Sequence, residues 1–226
     1  MKIQISPSLM CMDLMNVERD IKILSPISSY FHIDILDWHY CRNLSLSPCF
    51  MEQLKRITNV PLEAHLMIDN IESDIIKLCL DSGADVITMP PEIIANRAFR
   101  LIRQIKDAGK EVGIYISPGM NLDIAEPYIR HVDKLKIMTV DPGFPAQKFI
   151  PESLDKIRKA KELRAEKGYT YEIQVDGSCN KSTYADLYAA GAEIFIVGSS
   201  GLFGKHPNLS QAIELMLVDL DETLGK

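Results

Sequence analysis

The feature that most constrains the fold of this chain is a regular alternation of two kinds of segment. Short runs rich in β-branched and apolar residues are each followed by a polar turn and by a longer stretch with apolar residues at helical spacing. The runs that predict strands are KIQIS from Lys2, YFHIDIL from Tyr30, LEAHLM from Leu62, DVITM from Asp85, EVGIYIS from Glu111, KLKIM from Lys134, YEIQVD from Tyr171 and EIFIVG from Glu193. An alternation of this kind is typical of a parallel sheet with helices packed on it.

Two architectures share this alternation, an α/β (β/α)8 TIM barrel and an open doubly wound sheet. Eight units in 226 residues give about 28 residues per unit, which suits a compact barrel. A dinucleotide-binding open sheet would carry G-x-G-x-x-G after its first strand, but SPSLMCMD follows here and contains no glycine. No linker or composition shift divides the chain. We therefore predict a single (β/α)8 barrel domain over residues 1–226.

The longer stretches predict helices with one apolar face each. IESDIIKLCLDSG predicts a face made of Ile71, Ile75, Leu78 and Cys79, and ANRAFRLIRQIKDAGK predicts one made of Phe99, Ile102 and Ile105. ESLDKIRKAKELRAEKG predicts a third helix. These helices are expected to end at Gly83, Gly109 and Gly168, because glycine commonly follows a helix C-terminus.

Composition excludes several classes of function. The chain has 25 Lys and Arg against 31 Asp and Glu, a formal charge of −6, without a basic block that would bind nucleic acid. No apolar run approaches the roughly 20 residues that span a bilayer, and the polar residues near the N-terminus make a poor signal sequence. The five cysteines form no C-x-x-C pair, which is typical of reduced thiols. We expect a cytoplasmic protein without nucleic-acid or membrane partners.

Polar side chains fall where predicted strands end, which is where barrel enzymes carry their catalytic groups. Side chains alternate along a strand, so His32 and Asp34 share a face, which is the barrel interior if their isoleucine neighbours face the helices. His65 ends the third strand and Asp176 ends the seventh. Asp37 and His39, in contrast, lie beyond their strand and belong to a loop.

The four inward side chains form a mixed set of nitrogen and oxygen donors: His32, Asp34, His65 and Asp176. Such a set suits one divalent metal ion, with Zn, Mn, Co, Fe and Mg all open. Taken singly, each residue is better explained as a hydrogen-bonded core residue. Taken together they favour a metal, because two buried carboxylates close to each other need a cation.

The loops after the last three predicted strands are small or glycine-rich. DPGFPAQKF follows the sixth strand, DGSCN the seventh and GSSGLFG the eighth. In barrel enzymes such loops often bind a phosphate through backbone N–H groups, although ordinary tight turns also need glycine. The residues that would supply these groups are Gly177, Ser178, Gly198, Ser199 and Ser200.

Motifs over nearly the whole chain resemble the ribulose-phosphate 3-epimerase family. They are SPSL in the first strand, HIDILD in the second, HLMI in the third, MTVDPGF with QKF at the sixth, VDG at the seventh and VGSSGLF at the eighth. The resemblance implies a barrel that inverts the carbon beside the ketone of a phosphorylated ketose, with one divalent metal per subunit. It also implies a homo-oligomer, a dimer or a hexamer.

The resemblance also assigns roles to residues. It makes His32, Asp34, His65 and Asp176 the metal ligands, with Asp34 and Asp176 as the catalytic acid/base pair. The substrate contacts that it implies are Ser8, His65, Met67, Met138, Gly143, Phe144, Pro145, Ala146, Asp176, Gly177, Ser178, Gly198, Ser199 and Ser200. The chemistry is consistent, because inversion needs a proton removed from one face and returned to the other, and a metal stabilises the intermediate charge.

Residues that frame the substrate depart from the family pattern. The usual GFGGQ is GFPAQ here, Trp38 replaces a glycine, Pro90 a histidine, Ser117 an asparagine and Ser178 a glycine. These departures resemble the bacterial D-allulose-6-phosphate 3-epimerase branch, which predicts interconversion of D-allulose 6-phosphate and D-fructose 6-phosphate. The alternatives are ribulose-5-phosphate 3-epimerase, a metal-dependent sugar-phosphate aldolase and a non-catalytic sugar-phosphate-binding barrel.

Overall fold

The strands form one parallel sheet. In the computed structural model, which describes residues 3–225, this sheet has eight strands. They are β1 (Gln4–Pro7), β2 (Phe31–Leu36), β3 (Leu62–Met67), β4 (Val86–Met89), β5 (Glu111–Ile116), β6 (Lys134–Met138), β7 (Glu172–Asp176) and β8 (Ile194–Val197). Every strand that the sequence predicts is present; Met1, Lys2 and Lys226, which the predicted first strand and domain include, lie outside the described residues.

The sheet curls into a barrel. Each strand pairs with its neighbours in the order β1-β8-β7-β6-β5-β4-β3-β2, and a parallel bridge between Ser8 and His32 brings β1 against β2. The curled sheet is therefore nearly closed. This confirms the predicted (β/α)8 TIM barrel and excludes the open doubly wound sheet, whose first and last strands would lie apart.

Helices cover the outside of the sheet. They are α1 (Val17–Leu24), α2 (Pro48–Leu54), α3 (Ser73–Asp81), α4 (Pro91–Ile94), α5 (Ala98–Asp107), α6 (Ser153–Lys167), α7 (Tyr184–Ala190) and α8 (Leu209–Leu224). The connection between β5 and β6 is different, because it holds two 3₁₀ turns, Leu122–Ala125 and Ile129–His131. Pro118 and Pro127 lie in this connection and interrupt a longer helix.

Two of the predicted helix faces are partly wrong. On α3 the buried residues are Ile76 and Cys79, while Leu78 is 50% exposed. On α5 the buried stripe is Ala98, Leu101, Ile102 and Ile105, and Phe99 is 56% exposed. The rotation of each helix about its axis against the barrel decides which apolar stripe is buried. The apolar spacing in the sequence is compatible with two stripes on each of these helices and does not choose between them.

The inside of the barrel is polar over much of its length. The outward isoleucines of β2, Ile33 and Ile35, are buried under helices, as the strand pattern predicts. The inward positions carry His32, Asp34 and His65 near the carboxyl ends of the strands. Within residues 3–225, no helix is long and apolar enough to cross a membrane.

Candidate metal and acid/base site

Four side chains meet near the carboxyl ends of β2, β3 and β7. His32 Nε2 lies 3.0 Å from His65 Nδ1, 3.2 Å from Asp34 Oδ1 and 3.3 Å from Asp176 Oδ2. His65 Nδ1 is 3.2 Å from the Asp34 oxygen and 3.5 Å from the Asp176 oxygen. All four atoms lie within 4.8 Å of one another. The parity of the strands therefore brings together the set that the sequence predicts.

The donor set fits a divalent metal ion. Both imidazoles and Asp34 are buried, and Asp176 keeps only 14% of its side chain exposed. Asp176 Oδ2 is buried and accepts no hydrogen bond from any residue in the described range. Two nitrogen and two oxygen donors around one point are ligands that zinc and the other first-row divalent metals accept, and a cation would offset the two crowded carboxylates.

The charges of the site act on each other strongly. Burial and Lys136 oppose protonation of His32, but the carboxylates of Asp34, Glu63 and Asp176 hold its pKa well above the ordinary value. Burial lowers the pKa of His65 to about 4. Burial opposes ionisation of Asp34, yet the two imidazoles hold the pKa of that carboxyl well below its usual range. The carboxylates therefore favour a positive charge on His32, while burial keeps His65 neutral.

Ser8 distinguishes the two oxygens of Asp34. The Ser8 hydroxyl donates to Asp34 Oδ2 at 2.8 Å, while Oδ1 faces the two imidazoles. This contact follows from the bridge that pairs Ser8 with His32 across the seam of the barrel. One oxygen of Asp34 can thus face a metal ion while Ser8 holds the other.

A cavity of about 580 Å³, including its open mouth, lies above these groups. Of the residues expected to contact substrate, those on its wall are Ser8, Met67, Met138, Gly143, Phe144, Pro145, Ala146, Asp176, Gly177, Ser178, Gly198, Ser199 and Ser200. His65 is fully buried and is not part of that wall.

Other lining residues were missed by sequence reasoning. They are Met10, Cys11, Val140, Asp141, Gln147 and Ile196. Val140, Asp141 and Gln147 lie within the motifs MTVDPGF and QKF, and Met10, Cys11 and Ile196 lie beside SPSL and VGSSGLF, so the motifs themselves were the signal for these positions. Asp34 also lies on the cavity wall, so both candidate acid/base carboxylates reach the space where a sugar would bind.

An apolar cluster screens one side of the site. Leu36, Met67, Tyr115 and Met138 are buried together, with Tyr40 packed against them. The ring of Tyr115 lies edge-on to His65, with 4.6 Å between ring centroids. Apolar packing of this kind excludes water and strengthens the electrostatic interactions of the neighbouring charges. Tyr115 was also missed, although its inward parity follows from β5.

The rim of the cavity is held by hydrogen bonds between loops. Asn43 Nδ2 donates to the carbonyl of Gly143 at 2.7 Å, and the Ser178 hydroxyl donates to the carbonyl of Gln147 at 2.5 Å. Two non-glycine residues of the cavity wall have left-handed backbone conformations, Ala146 (φ 61°) and Ser178 (φ 50°), as does Trp38 (φ 68°) in the loop after β2. Each left-handed conformation costs roughly 1 kcal/mol relative to glycine. These positions therefore carry side chains although glycine would adopt the backbone conformation at lower cost.

The fold and the site define the class of this protein, a (β/α)8 barrel enzyme whose polar groups gather at the carboxyl ends of its strands. The ribulose-phosphate 3 epimerase family model matches residues 4–203, and the chain belongs to that family. It is therefore a sugar-phosphate 3-epimerase, an isomerase.

Three relatives illustrate the similarity, and each is named ribulose-phosphate 3-epimerase. The protein of Methanocaldococcus jannaschii is 34% identical over 90% of this chain and 85% of its own length. That of Escherichia coli strain K12 is 30% identical over 96% and 95%, and that of Bacillus subtilis strain 168 is 32% identical over 88% and 91%.

Solved structures with low sequence identity support the fold alone. A mutant tryptophan synthase α-subunit from Pyrococcus furiosus has a TM-score of 0.70 at 12% identity, covering 100% of this chain and 98% of its own. A structure of 3-hexulose-6-phosphate synthase also has a TM-score of 0.70 at 12% identity, covering 96% and 100%. Both similarities are consistent with the barrel.

Proposed function

We propose that this enzyme interconverts D-allulose 6-phosphate and D-fructose 6-phosphate by inverting C3 through an enediolate. The observation that carries the proposal is the pair of carboxylates, Asp34 and Asp176, that line one cavity at the carboxyl ends of the strands. They belong to β2 and β7, which are separated in the barrel by β1 and β8. Carboxylates from separate strands can approach a bound sugar from two directions.

Proton transfer is the task of these two carboxylates. The hydrogen on the carbon beside the ketone is acidic enough for a positioned base to remove, which leaves an enediolate. One aspartate takes this proton, and the other returns a proton to the opposite face of the carbon. Ser8 holds Asp34 Oδ2 in place. Met67 and Met138, buried beside the cavity, limit access of water.

We propose that His32, Asp34, His65 and Asp176 hold one divalent metal ion, with Zn, Mn, Co, Fe and Mg all open. Such an ion, when bound, supplies a positive charge that stabilises the negative charge developing on the ketone oxygen. The free Asp176 oxygen and the close approach of two imidazole nitrogens support this assignment.

The phosphate of the substrate is assigned to the loops after β7 and β8. Gly177, Ser178, Gly198, Ser199 and Ser200 line one side of the cavity. Small residues leave their backbone N–H groups accessible, and the serine hydroxyls add further donors. A phosphate bound there would leave the ketone end of the sugar free to reach the two aspartates.

Preference for a six-carbon sugar is supported by the rim. Trp38, Ala146 and Ser178 keep left-handed conformations that glycine would adopt more easily. Pro145, Ala146 and Ser178 line the cavity, and their side chains alter the loops that frame it. A ketohexose phosphate is longer than a ketopentose phosphate by one hydroxymethylene unit, so changes in these loops are where adaptation to it is expected.

Comparative kinetics test the substrate. We expect kcat/KM for D-allulose 6-phosphate to exceed that for D-ribulose 5-phosphate, measured on one preparation of known metal content. The second candidate, ribulose-5-phosphate 3-epimerase, is favoured by the names of the curated relatives. Equal efficiencies on the two sugars, or a preference for the pentose, would contradict the six-carbon proposal while leaving the epimerase class unaffected.

Deuterated water tests the reaction itself. An epimerase exchanges the C3 hydrogen with solvent and leaves the carbon chain whole, so NMR should show deuterium at C3 of both sugars. An aldolase would instead release triose fragments. Fragmentation, or binding of sugar phosphate without exchange, would contradict the two-base mechanism.

We also propose that the chain forms a homo-oligomer, a dimer or a hexamer. Exposed apolar side chains occur in loops that follow the adjacent strands β1 and β2: Leu14, Met15, Trp38 and Leu44. Apolar surface of this kind favours a contact between subunits. Light scattering coupled to size-exclusion chromatography should give a multiple of 25.5 kDa, and a monomer at micromolar concentration would contradict the proposal.

A further inference from the structure

A fully buried ion pair lies in the barrel interior, one layer below the four candidate metal ligands. Lys136 Nζ on β6 lies 2.8 Å from Glu63 Oε1 on β3, and neither side chain has any exposed surface. The interior of such barrels is ordinarily filled by branched apolar residues. A buried ion pair seldom stabilises a fold more than apolar residues of the same size. Stability therefore does not explain this pair.

Glu63 also contacts a candidate metal ligand. Its Oε1 accepts from the Thr88 hydroxyl at 2.5 Å, and its Oε2 accepts from Gln174 Nε2 at 3.2 Å. The same Oε2 lies 3.1 Å from His32 Nδ1. Four donors thus surround one carboxylate, two on each oxygen, which holds Glu63 in a single orientation.

The donor and acceptor roles in this cluster determine the tautomer of His32. A carboxylate only accepts hydrogen bonds, so His32 Nδ1 must carry the hydrogen that faces Glu63. Lys136 Nζ lies 3.4 Å from that nitrogen and, as a donor-only group, cannot replace Glu63 as acceptor. With its hydrogen on Nδ1, the neutral ring has its lone pair on Nε2, the atom that points at Asp34, His65 and Asp176.

We propose that Glu63 is a positioning residue that fixes the tautomer and orientation of His32, and so sets the affinity of the site for its divalent metal. Lys136 compensates the charge of Glu63, which allows a third carboxylate to lie beneath two others. The inference rests on the metal site proposed above and does not depend on which sugar phosphate is the substrate.

The test variant is Glu63→Gln, which preserves shape and replaces one oxygen by an NH₂ group. If that NH₂ group faces His32, the imidazole must present a lone pair at Nδ1, which is the wrong tautomer. If it faces Lys136 instead, two donors oppose each other, and His32 Nδ1 donates to a neutral amide oxygen, which is a weaker acceptor than a carboxylate. Either way the hydrogen-bond pattern that selects Nε2 as the metal-binding atom is weakened.

The barrel offers a matched control at its opposite end. Lys134 on β6 is also buried and ion-paired, with Glu172 of β7, and Gln4 donates to the same carboxylate at 2.6 Å. No imidazole contact of Glu172 occurs among residues 3–225. Glu172→Gln therefore weakens an interior ion pair without touching a candidate ligand.

The experiment measures metal binding rather than turnover. Wild type, Glu63→Gln and Glu172→Gln are freed of metal, and Co²⁺ is titrated by its visible absorption, with Zn²⁺ measured by competition against a chromophoric chelator. We expect Glu63→Gln to bind about 10 to 100 times more weakly, as for other groups that orient metal ligands, and Glu172→Gln to bind like wild type. In the Zn²⁺-loaded proteins, ¹⁵N NMR should report a hydrogen-bonded Nδ1–H of His32 in wild type and a weakened or lost Nδ1–H signal in Glu63→Gln.

The outcomes separate the inference from the metal site itself. Wild-type affinity in Glu63→Gln, or an equal loss in the two variants, would overturn the positioning role while leaving the metal site standing. Failure of the wild type to bind either metal would overturn both. Should Glu63→Gln not fold, the double variant Glu63→Leu, Lys136→Met removes both buried charges, a replacement that folds tolerate, and it is expected to show the same loss of affinity.

Discussion

The two ends of the barrel use carboxylates in opposite ways. At the amino ends of the strands, Asp85, Asp133 and Glu193 each stand just before an even-numbered strand and accept the amide of a residue at or next to the start of the preceding strand. Each also binds a basic side chain. At the carboxyl ends, Asp34 and Asp176 share two imidazoles, and neither is paired with a lysine or arginine within residues 3–225.

This difference between the two sets of carboxylates separates residues that stabilise the fold from residues suited to catalysis. The basic partners at the amino ends are Lys55 and Lys110 for Asp85, Lys106 for Asp133, and Arg164 for Glu193. A carboxylate with its own cation and an amide donor fixes strands and helices in place. Carboxylates crowded around shared imidazoles are poorly satisfied without a cation, and they are typical of a functional site.

The largest expected effect comes from removing the charge of Asp34 or Asp176. Asp34→Asn and Asp176→Asn should each lower kcat for epimerisation by about 10³-fold or more, since a positioned acid or base is lost. Both variants should keep the native fold, checked by circular dichroism, because asparagine has the shape of aspartate. Epimerisation followed by NMR measures the rate. Near-normal turnover in either variant would show that the substituted aspartate has a structural role, like the carboxylates at the amino ends of the strands.

Removal of metal should have a comparable effect on activity. Treatment with a strong chelator is expected to reduce epimerisation to background, and a divalent ion should restore it, since two carboxylates and two imidazoles converge on one point. Metal content is measured in the same samples by atomic emission. Full activity in a sample that contains no metal would contradict the role assigned to the four ligands.

At the amino ends the expected effect is on stability alone. Asp85 accepts from Lys55 at 2.6 Å, from Lys110 at 2.8 Å and from the Leu62 amide at 3.0 Å. Asp85→Asn should lower the free energy of unfolding by about 1 to 2 kcal/mol, measured by urea denaturation, because these bonds lose their charge. The kcat/KM of the variant should match wild type. A marked loss of turnover would break the division between the two ends.

The pH dependence of stability follows from the same group. Burial opposes ionisation of Asp85, but its two lysines and the Leu62 amide hold its pKa below the ordinary value. Its contribution is therefore complete above an unfolded pKa of about 4 and is lost as pH falls through the lower folded value. In urea denaturation below pH 4, Asp85→Asn should lose less stability than wild type. If the free energies of unfolding of the two proteins instead fall in parallel as the pH is lowered, Asp85 is excluded as a source of acid sensitivity.

The smallest expected effect concerns the rim. Ala146 is exposed and has φ 61°, so Ala146→Gly should relieve left-handed strain. Because glycine also loses more entropy on folding, the net gain should be only about 0.5 kcal/mol in the free energy of unfolding. A loss of stability would show that the Ala146 side chain makes a contact that outweighs its backbone strain.

Much of the fold was predictable because strand patterns are local. The isoleucines of β2 had to face the helices, which placed His32 and Asp34 inside the barrel. Helix faces were less predictable, as Leu78 and Phe99 show, because a helix with more than one apolar stripe takes its orientation from what it packs against. The missing α-helix between β5 and β6 was signalled only by Pro118 and Pro127.

The sequence by itself determined which groups point into the barrel, because side chains alternate along a strand with a period of two. It therefore identified His32, Asp34, His65 and Asp176 as one set. Only the tertiary structure decided which interior residues of distant strands meet. Glu63 and Lys136 share the inward parity of His65 and Met138, two residues before each, yet their contact depends on the stagger of strands around the closed barrel. That stagger is a property of the whole sheet, and no single strand encodes it.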